Sequence, residues 1–380
     1  MISSINNQKI ELREFHINQF PVDKIYISLE ENFHKKLFDR VSQYKFKKFN
    51  EIFFNNSLNW DTFKQWKHNR HFIPLCFIIK ISKIFPKFSI YKVEKHIIAY
   101  KGPSSSAIIN KPNLPLKEDY RILKIVAHLI GDGSVGGGFG SKLPDGKQHS
   151  EYRNFAPELL DHFEEDLSVF GDVLATKNYK HGSLIIPNSI GYILGHIYKI
   201  KFDTFNSRIP EAFFDLPREL IAAFLRAFGD DEGHVCDSSI EYYSNNKELL
   251  NDILILINNT LPEIKTSNIK VNTKAGKNIK YSFMIYNGSQ ETYLNLIGFD
   301  HKQKREDLIF NTSRKGQRNK NPKGKILELL KSNILTAKQI SRIMGIRHSS
   351  VLEHLSELKK LGKVTIVKKE HWANFWTMKF

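Results

Sequence analysis

Two acidic residues occupy the same unusual place, one hundred positions apart. Asp132 closes the stretch "EDYRILKIVAHLIGDG" (118–133), and Glu232 closes "LPRELIAAFLRAFGDDEG" (216–233). In each, an apolar run of helical spacing leads into an acid and then a glycine. In the first, Ile122, Ile125, Val126 and Leu129 form the apolar face. A carboxylate at a helix C-terminus faces the negative end of the macrodipole, so neither position is favourable in itself. Small residues fall one turn apart in both stretches: Ala127 and Gly131 in the first, Ala223 and Ala227 in the second. Small residues let two helix backbones approach closely. If these helices pack together, Asp132 and Glu232 arrive side by side and repel each other. A divalent cation removes the conflict, because Mg²⁺ takes one or two carboxylates and completes its shell with water and phosphate oxygens. The chemistry implied is metal chemistry on a phosphate.

The segments around the two acids repeat in order. Glu118 and Asp119 are expected in the first turn of one helix and Pro217 in that of the other, with Gly133 and Gly233 as stops, Gly133 in the left-handed conformation. After the first motif come "EYRNF", a helix "PELLDHFEEDLSVFG", the strand-like "VLATKNY" and "SLIIPN", and a helix "SIGYILGHIY". After the second come "SSIEYYSN", a helix "KELLNDILILINN", strands "NIKVNTK" and "IKYSFMIYN", and a helix "SQETYLNLIGF". A single Asp-Gly after a helix is often only a turn; two, each followed by the same succession, indicate an internal duplication.

The nine-residue stretches "IVAHLIGDG" (125–133) and "LRAFGDDEG" (225–233) resemble the paired motifs of the LAGLIDADG, or DOD-type, homing endonucleases. The resemblance covers about 118–310. The first copy departs from the family pattern at His128 and Ile130, and the second carries Glu where the metal ligand is usually Asp. It implies an α+β fold, a duplicated αββαββα domain with pseudo-twofold symmetry, and a monomer. It also implies hydrolysis of phosphodiesters on both strands of a long duplex site with Mg²⁺ or Mn²⁺. Asp132 and Glu232 would be the metal ligands, aided by backbone carbonyls near Gly131 and Asp231. Family members place a basic residue near each metal, and Lys180 and Lys280 are the candidates.

Strand "NIKVNTK" alternates Lys270, Asn272 and Lys274 with Ile269, Val271 and Thr273, giving one polar face and one that can pack on helices. With Lys277 and Lys280 nearby, this face suits a DNA groove; the alternative is an ordinary solvated strand.

The flanks fit the same partner. The chain has 380 residues and a formal charge of +17, which points to a polyanion such as nucleic acid. Residues 1–100 read as helical, with Thr62, Lys64, Gln65, Lys67 and Arg70 around a short helix. They form either a helix-turn-helix-like module or a basic helical bundle. Residues 101–117 read as a linker or the start of a strand. The two repeats are expected at about 118–205 and 215–310, followed by a basic linker at 311–325. Residues 326–380 read as three helices and a hairpin, which resembles a winged helix. Thr336 is the expected cap of its second helix and Gly345 the stop. Arg347, His348, Ser349 and Ser350 begin the third helix, where base edges would be reached; contact with protein is the alternative use.

Only Cys76 and Cys236 are present, which excludes a disulfide framework or a cysteine zinc cluster and fits a reducing, cytoplasmic setting. No signal peptide is expected. The start with Met and the end "WTMKF" argue against a splicing intein, although descent from one, or from an intron-encoded protein, stays open. Two other functions remain: a DNA-binding regulator that has lost cleavage, and an RNA maturase.

Overall fold

In the computed structural model, two helices packed along each other organise the middle of the chain. The structure describes residues 12–103, 107–136, 149–272, 279–314, 321–370 and 373–379. The first helix, Tyr120–Gly131, begins where the Asp119 side chain accepts the N–H groups of Arg121 and Ile122. Glu118 lies just outside it, buried and paired with Arg13 and Tyr198. The second helix, Arg218–Glu232, follows Pro217, which is its cap and not a first-turn residue. Ala127 and Ala227 are fully buried, while Ala223 is half-buried.

Each helix is followed by two strands, a helix, two strands of the same sheet and a helix; after the first, the extra short strand Asp172–Val173 joins a different sheet. The first four-stranded antiparallel sheet runs in the order Gly133–Ser134, Ser150–Arg153, Ser183–Ile186, Thr176–Asn178. The second runs in the order Gly233–Val235, Ser239–Ser244, Lys280–Tyr286, Lys270–Asn272. The registers correspond: Gly133 lies opposite Tyr152, and Gly233 opposite Tyr242. Mixed helix and sheet agree with the expected α+β class.

The glycines are needed for a different reason from the one expected. Gly233 has an ordinary φ of −89°, and Gly133 is not among the residues of positive φ. What they require is space. A Cβ on Gly133 would lie 2.5 Å from Leu129 Cα, and one on Gly233 would lie 2.5 Å from the Gly229 carbonyl oxygen. The chain folds back against the last turn of each helix, leaving no room for a side chain.

The N-terminal region corrects one expectation and decides between two readings of 101–117. It is not purely helical: helices at Glu31–Ser42, Phe46–Phe54, Trp60–Lys67, Leu75–Ile84 and Ile90–Glu94 accompany a five-stranded sheet. The strand order is Ile73–Pro74, Tyr26–Leu29, Ile97–Lys101, Ile108–Asn110, Asp172–Val173. The last strand comes from the middle region, and one continuous hydrophobic core extends from Phe15 to Leu308. The segment 101–117 is therefore no free linker, since Ile108–Asn110 and Leu116–Lys117 are both paired strands.

At the C-terminus, helices Pro322–Ser332, Ala337–Met344 and His348–Lys360 pack on a three-stranded sheet, Leu335–Thr336, Ala373–Met378, Val364–Glu370. Thr336 caps the second helix reciprocally with Gln339, and Gly345 ends it with φ of 63°. The module has its own core, built on Ile326, Leu330, Ile340, Val351, Leu355 and Trp376. The expected linker 311–325 is helical at both ends, in Lys302–Ser313 and from Pro322 onward. No helix among the described residues is long and apolar enough to cross a membrane.

Candidate functional site

The C-terminal ends of the two central helices meet. A Cβ on Gly131 would lie 2.9 Å from both Cβ and Oδ2 of Asp231, so glycine is what lets the second helix come this close. Asp132 is the residue on which the first helix ends, and its carbonyl accepts the N–H of Arg153 at 3.2 Å. Glu232 is the last residue of the second helix. Asp132 reaches solvent at the rim, yet loss of surrounding water and the nearby Asp231 push its carboxyl up to about 7. Desolvation, then Asp132 and Asp231, push Glu232 up to about 8. Burial and the neighbouring acids both disfavour ionisation of these two carboxyls.

Beneath them lies Asp231, whose side chain has no exposed surface. Among the described residues, its side-chain hydrogen-bond partners lie between His128 and Asn154. His128 Nδ1 is 2.9 Å from Oδ2, the Tyr152 hydroxyl donates to Oδ1 at 2.8 Å, and Asn154 Nδ2 donates to Oδ1 at 3.2 Å. Burial raises Asp231 to about 8 and lowers His128 to about 4, so near neutral pH the imidazole is uncharged. Asp230, fully buried, accepts the N–H groups of Asp300 and His301 at 3.1 and 2.9 Å. It thereby fixes the start of helix Lys302–Ser313. From that helix, Lys304 Nζ donates to the carbonyls of Gly229 and Asp230 at 3.2 and 2.5 Å. It binds carbonyls of the second helix's last turn and faces all four acids.

The two basic candidates separate. Lys280 starts its strand and is close enough to Glu232 to favour the ionised carboxylate, against the larger effects of burial and the other acids. Lys180 lies on an exposed turn between Thr176–Asn178 and Ser183–Ile186. Leu184 faces Tyr152 as Phe283 faces Tyr242. Counting back from these pairs, the counterpart of Lys280 is His181, one residue beyond Lys180.

Lys270 is exposed, and Asn272 pairs in register with Lys280. Lys274 and Lys277 lie outside the described residues. The opposite face of this strand is only partly covered, since Ile269 packs on the core whereas Val271 is 57% exposed. Arg347 caps helix His348–Lys360 and is exposed, while His348 and Ser350 are half-buried.

The residues that sequence reasoning missed are Asp231 as a buried anchor, His128, Tyr152, Asn154 and Lys304. A signal existed for two. His128 and Asp231 are the positions where the aligned copies hold Phe228 and Gly131, so each departure sits opposite the other. Nothing local marks Lys304. Among the described residues, no three or more His, Cys, Asp or Glu side chains converge as a metal cluster. A cation here would rely on two carboxylates, backbone carbonyls, water and substrate oxygens.

Residues 323–365 match the family model described as bacterial regulatory protein, arsR family. The chain is 30% identical over 133 residues to the probable translation initiation factor IF-2 of Methanocaldococcus jannaschii; the match spans 32% of this chain and only 12% of that protein. Among solved structures, it is similar to I-DmoI in complex with DNA and Ca (TM-score 0.35, 14% identity, 47% of this chain, 88% of that one). It is likewise similar to I-DmoI with DNA and Mn (TM-score 0.33, 14% identity, 47% and 96%). Mesophilic variants of the homing endonuclease I-DmoI match at a TM-score of 0.31 and 18% identity, over 47% and 96%.

Proposed function

We propose that this chain is a site-specific endonuclease of duplex DNA, cutting phosphodiesters at the junction of its two central helices. The observation that carries this is the meeting of Asp132 and Glu232, mutually repelling carboxyls, where the helices converge between two sheets of corresponding register. Asp132 and Glu232 would hold Mg²⁺ or Mn²⁺, with the carbonyls of Gly131 and Asp231 near. When bound, such a cation supplies Lewis-acid activation of the phosphodiester and its attacking water. Lys280 would order water on the Glu232 side; Lys180 is the weaker proposal for the other side, where His181 holds the corresponding register. Lys304 would keep the second helix end in place by binding the carbonyls of Gly229 and Asp230. Lys270, Asn272, Lys274 and Lys277 would follow the groove. The duplicated αββαββα unit, repeats at about 118–205 and 215–310, would span the target as a monomer.

The arsR-type match favours a second reading, a regulator that binds duplex DNA without cutting it. One experiment separates them. Purified chain with Mg²⁺ is given a plasmid library of randomised sites, beside an Asp132→Asn/Glu232→Gln variant. Recurrent double-strand breaks absent from the variant establish the endonuclease. Selective retention of one duplex by both proteins, without breaks, establishes the regulator.

A further inference from the structure

The winged helix does not float free of the core. It meets the core through charges, and the charges are those it would need for DNA. Asp237, just after strand Gly233–Val235, presents its carboxylate to the start of helix His348–Lys360. The backbone N–H of His348 donates to Oδ1 at 3.1 Å and that of Ser349 to Oδ2 at 2.8 Å. Burial alone would raise Asp237, yet these amides and Arg314 hold it below the ordinary carboxylate range. On the preceding helix, Lys338 Nζ lies 2.6 Å from Asp307, and Arg342 lies 3.0 Å from Asp307 and 3.3 Å from Glu306. Both acids belong to helix Lys302–Ser313.

Free N–H groups at a helix start, flanked by Lys and Arg, form a phosphate-binding arrangement. Here carboxylates fill it. The two hydrophobic cores are separate, so the joint is held by these ion pairs and backbone hydrogen bonds without a shared core. It is also loosely filled, with a cleft of about 400 Å³ between His234, Asp237 and Phe310 on one side and Lys338, Arg342 and Leu352 on the other.

We propose that this face of the winged helix is a duplex-DNA surface which the core's own Asp237, Glu306 and Asp307 occupy in place of phosphates. The module then engages DNA only by leaving the core. The proposal rests on the DNA-binding reading of the winged helix and is independent of cleavage. Its ligand is the phosphate backbone, so the competition is sequence-independent and weakens with salt on both sides.

The test uses the full chain and a fluorescent mixed-sequence duplex a few helical turns long, without divalent metal. Asp237→Asn/Asp307→Asn is expected to bind about three- to tenfold tighter than the wild type, since several partly exposed ion pairs are released. A control, Asp215→Asn/Glu248→Gln, removes the same charge at exposed positions outside the joint and is expected to gain less. In the free wild type the amides of His348 and Ser349 exchange slowly with solvent; in the free variant they exchange fast. Glu306→Gln/Asp307→Asn, which leaves Asp237 in place, shifts binding in the same direction should the first variant fold poorly. Equal gains in variant and control, or weaker binding by the variant, would overturn the occlusion. Binding by none of the proteins would overturn the DNA reading beneath it as well.

Discussion

The two central helices share a length scale, a packing partner and a terminal glycine, but their last turns differ in charge. The first ends Ile130, Gly131, Asp132; the second ends Asp230, Asp231, Glu232. The first repeat contributes one acid to the junction, the second contributes three. Two of those three are absorbed by structure: Asp230 binds the backbone N–H groups of Asp300 and His301 just before a helix, and Asp231 is anchored by His128, Tyr152 and Asn154. Only the final acid of each helix is left for a ligand. Corresponding strand registers therefore come with unequal charge at the two helix ends. The shared element is the acid before the glycine, and the surrounding charges are local solutions to holding the helices together.

Making the helices symmetrical should be the most damaging change. Gly131→Asp places a carboxylate where even a Cβ meets Asp231 at 2.9 Å. Overpacking plus an unpaired buried charge should cost about 3–5 kcal/mol, read as a fall in urea midpoint. Asp231→Asn should cost less, about 1–3 kcal/mol, because an amide still accepts from Tyr152 but presents mismatched donors to its neighbours. A matching loss in His128→Phe, with little further loss in the double variant, would show that the two act as one unit. Additive losses would break that account.

The acid imbalance should also appear in pH dependence. Unfolded, the four acids ionise near their ordinary values; folded, Asp132 and Asp230 do so at about 7 and Asp231 and Glu232 at about 8. The folded state thus holds more protons from about pH 4 to 8, and stability should decline as pH rises through that window. His128, neutral in the fold, works in the opposite sense below its ordinary value of 6.5. Divalent cation should oppose the decline, so the rise in Tm on adding Mg²⁺ should be larger at pH 8 than at pH 6. A pH-independent shift would contradict the pairing of metal with these carboxyls. The smallest expected effects concern the basic candidates. Lys280→Ala should slow cleavage with little change in Tm, and Lys180→Ala should slow it less. His181→Ala tests whether register or sequence proximity marks the counterpart.

The acids and helices were legible because their signals are local: apolar periodicity, small residues one turn apart, and an acid before a glycine. The winged helix was legible for the same reason, with Thr336 and Gly345 marking its second helix. What escaped was non-local. Ile97–Lys101 and Ile108–Asn110 are short strands whose sheet is completed by Asp172–Val173, far along the chain. No window of sequence displays that partnership. Lys304 becomes part of the junction only because Asp230 fixes the start of its helix there. The role of Gly133 was misjudged because a crowded carbonyl and a left-handed turn both demand glycine, and sequence does not distinguish them.

The central claim is that Asp132 and Glu232 jointly hold a divalent cation. Mn²⁺ titrated into the full chain with duplex DNA, followed by the loss of the free-ion paramagnetic resonance signal, tests it without requiring cleavage. Saturable binding to the wild type at pH 8, abolished in Asp132→Asn/Glu232→Gln while DNA binding persists, is the predicted result. Equal Mn²⁺ binding by both proteins would contradict it.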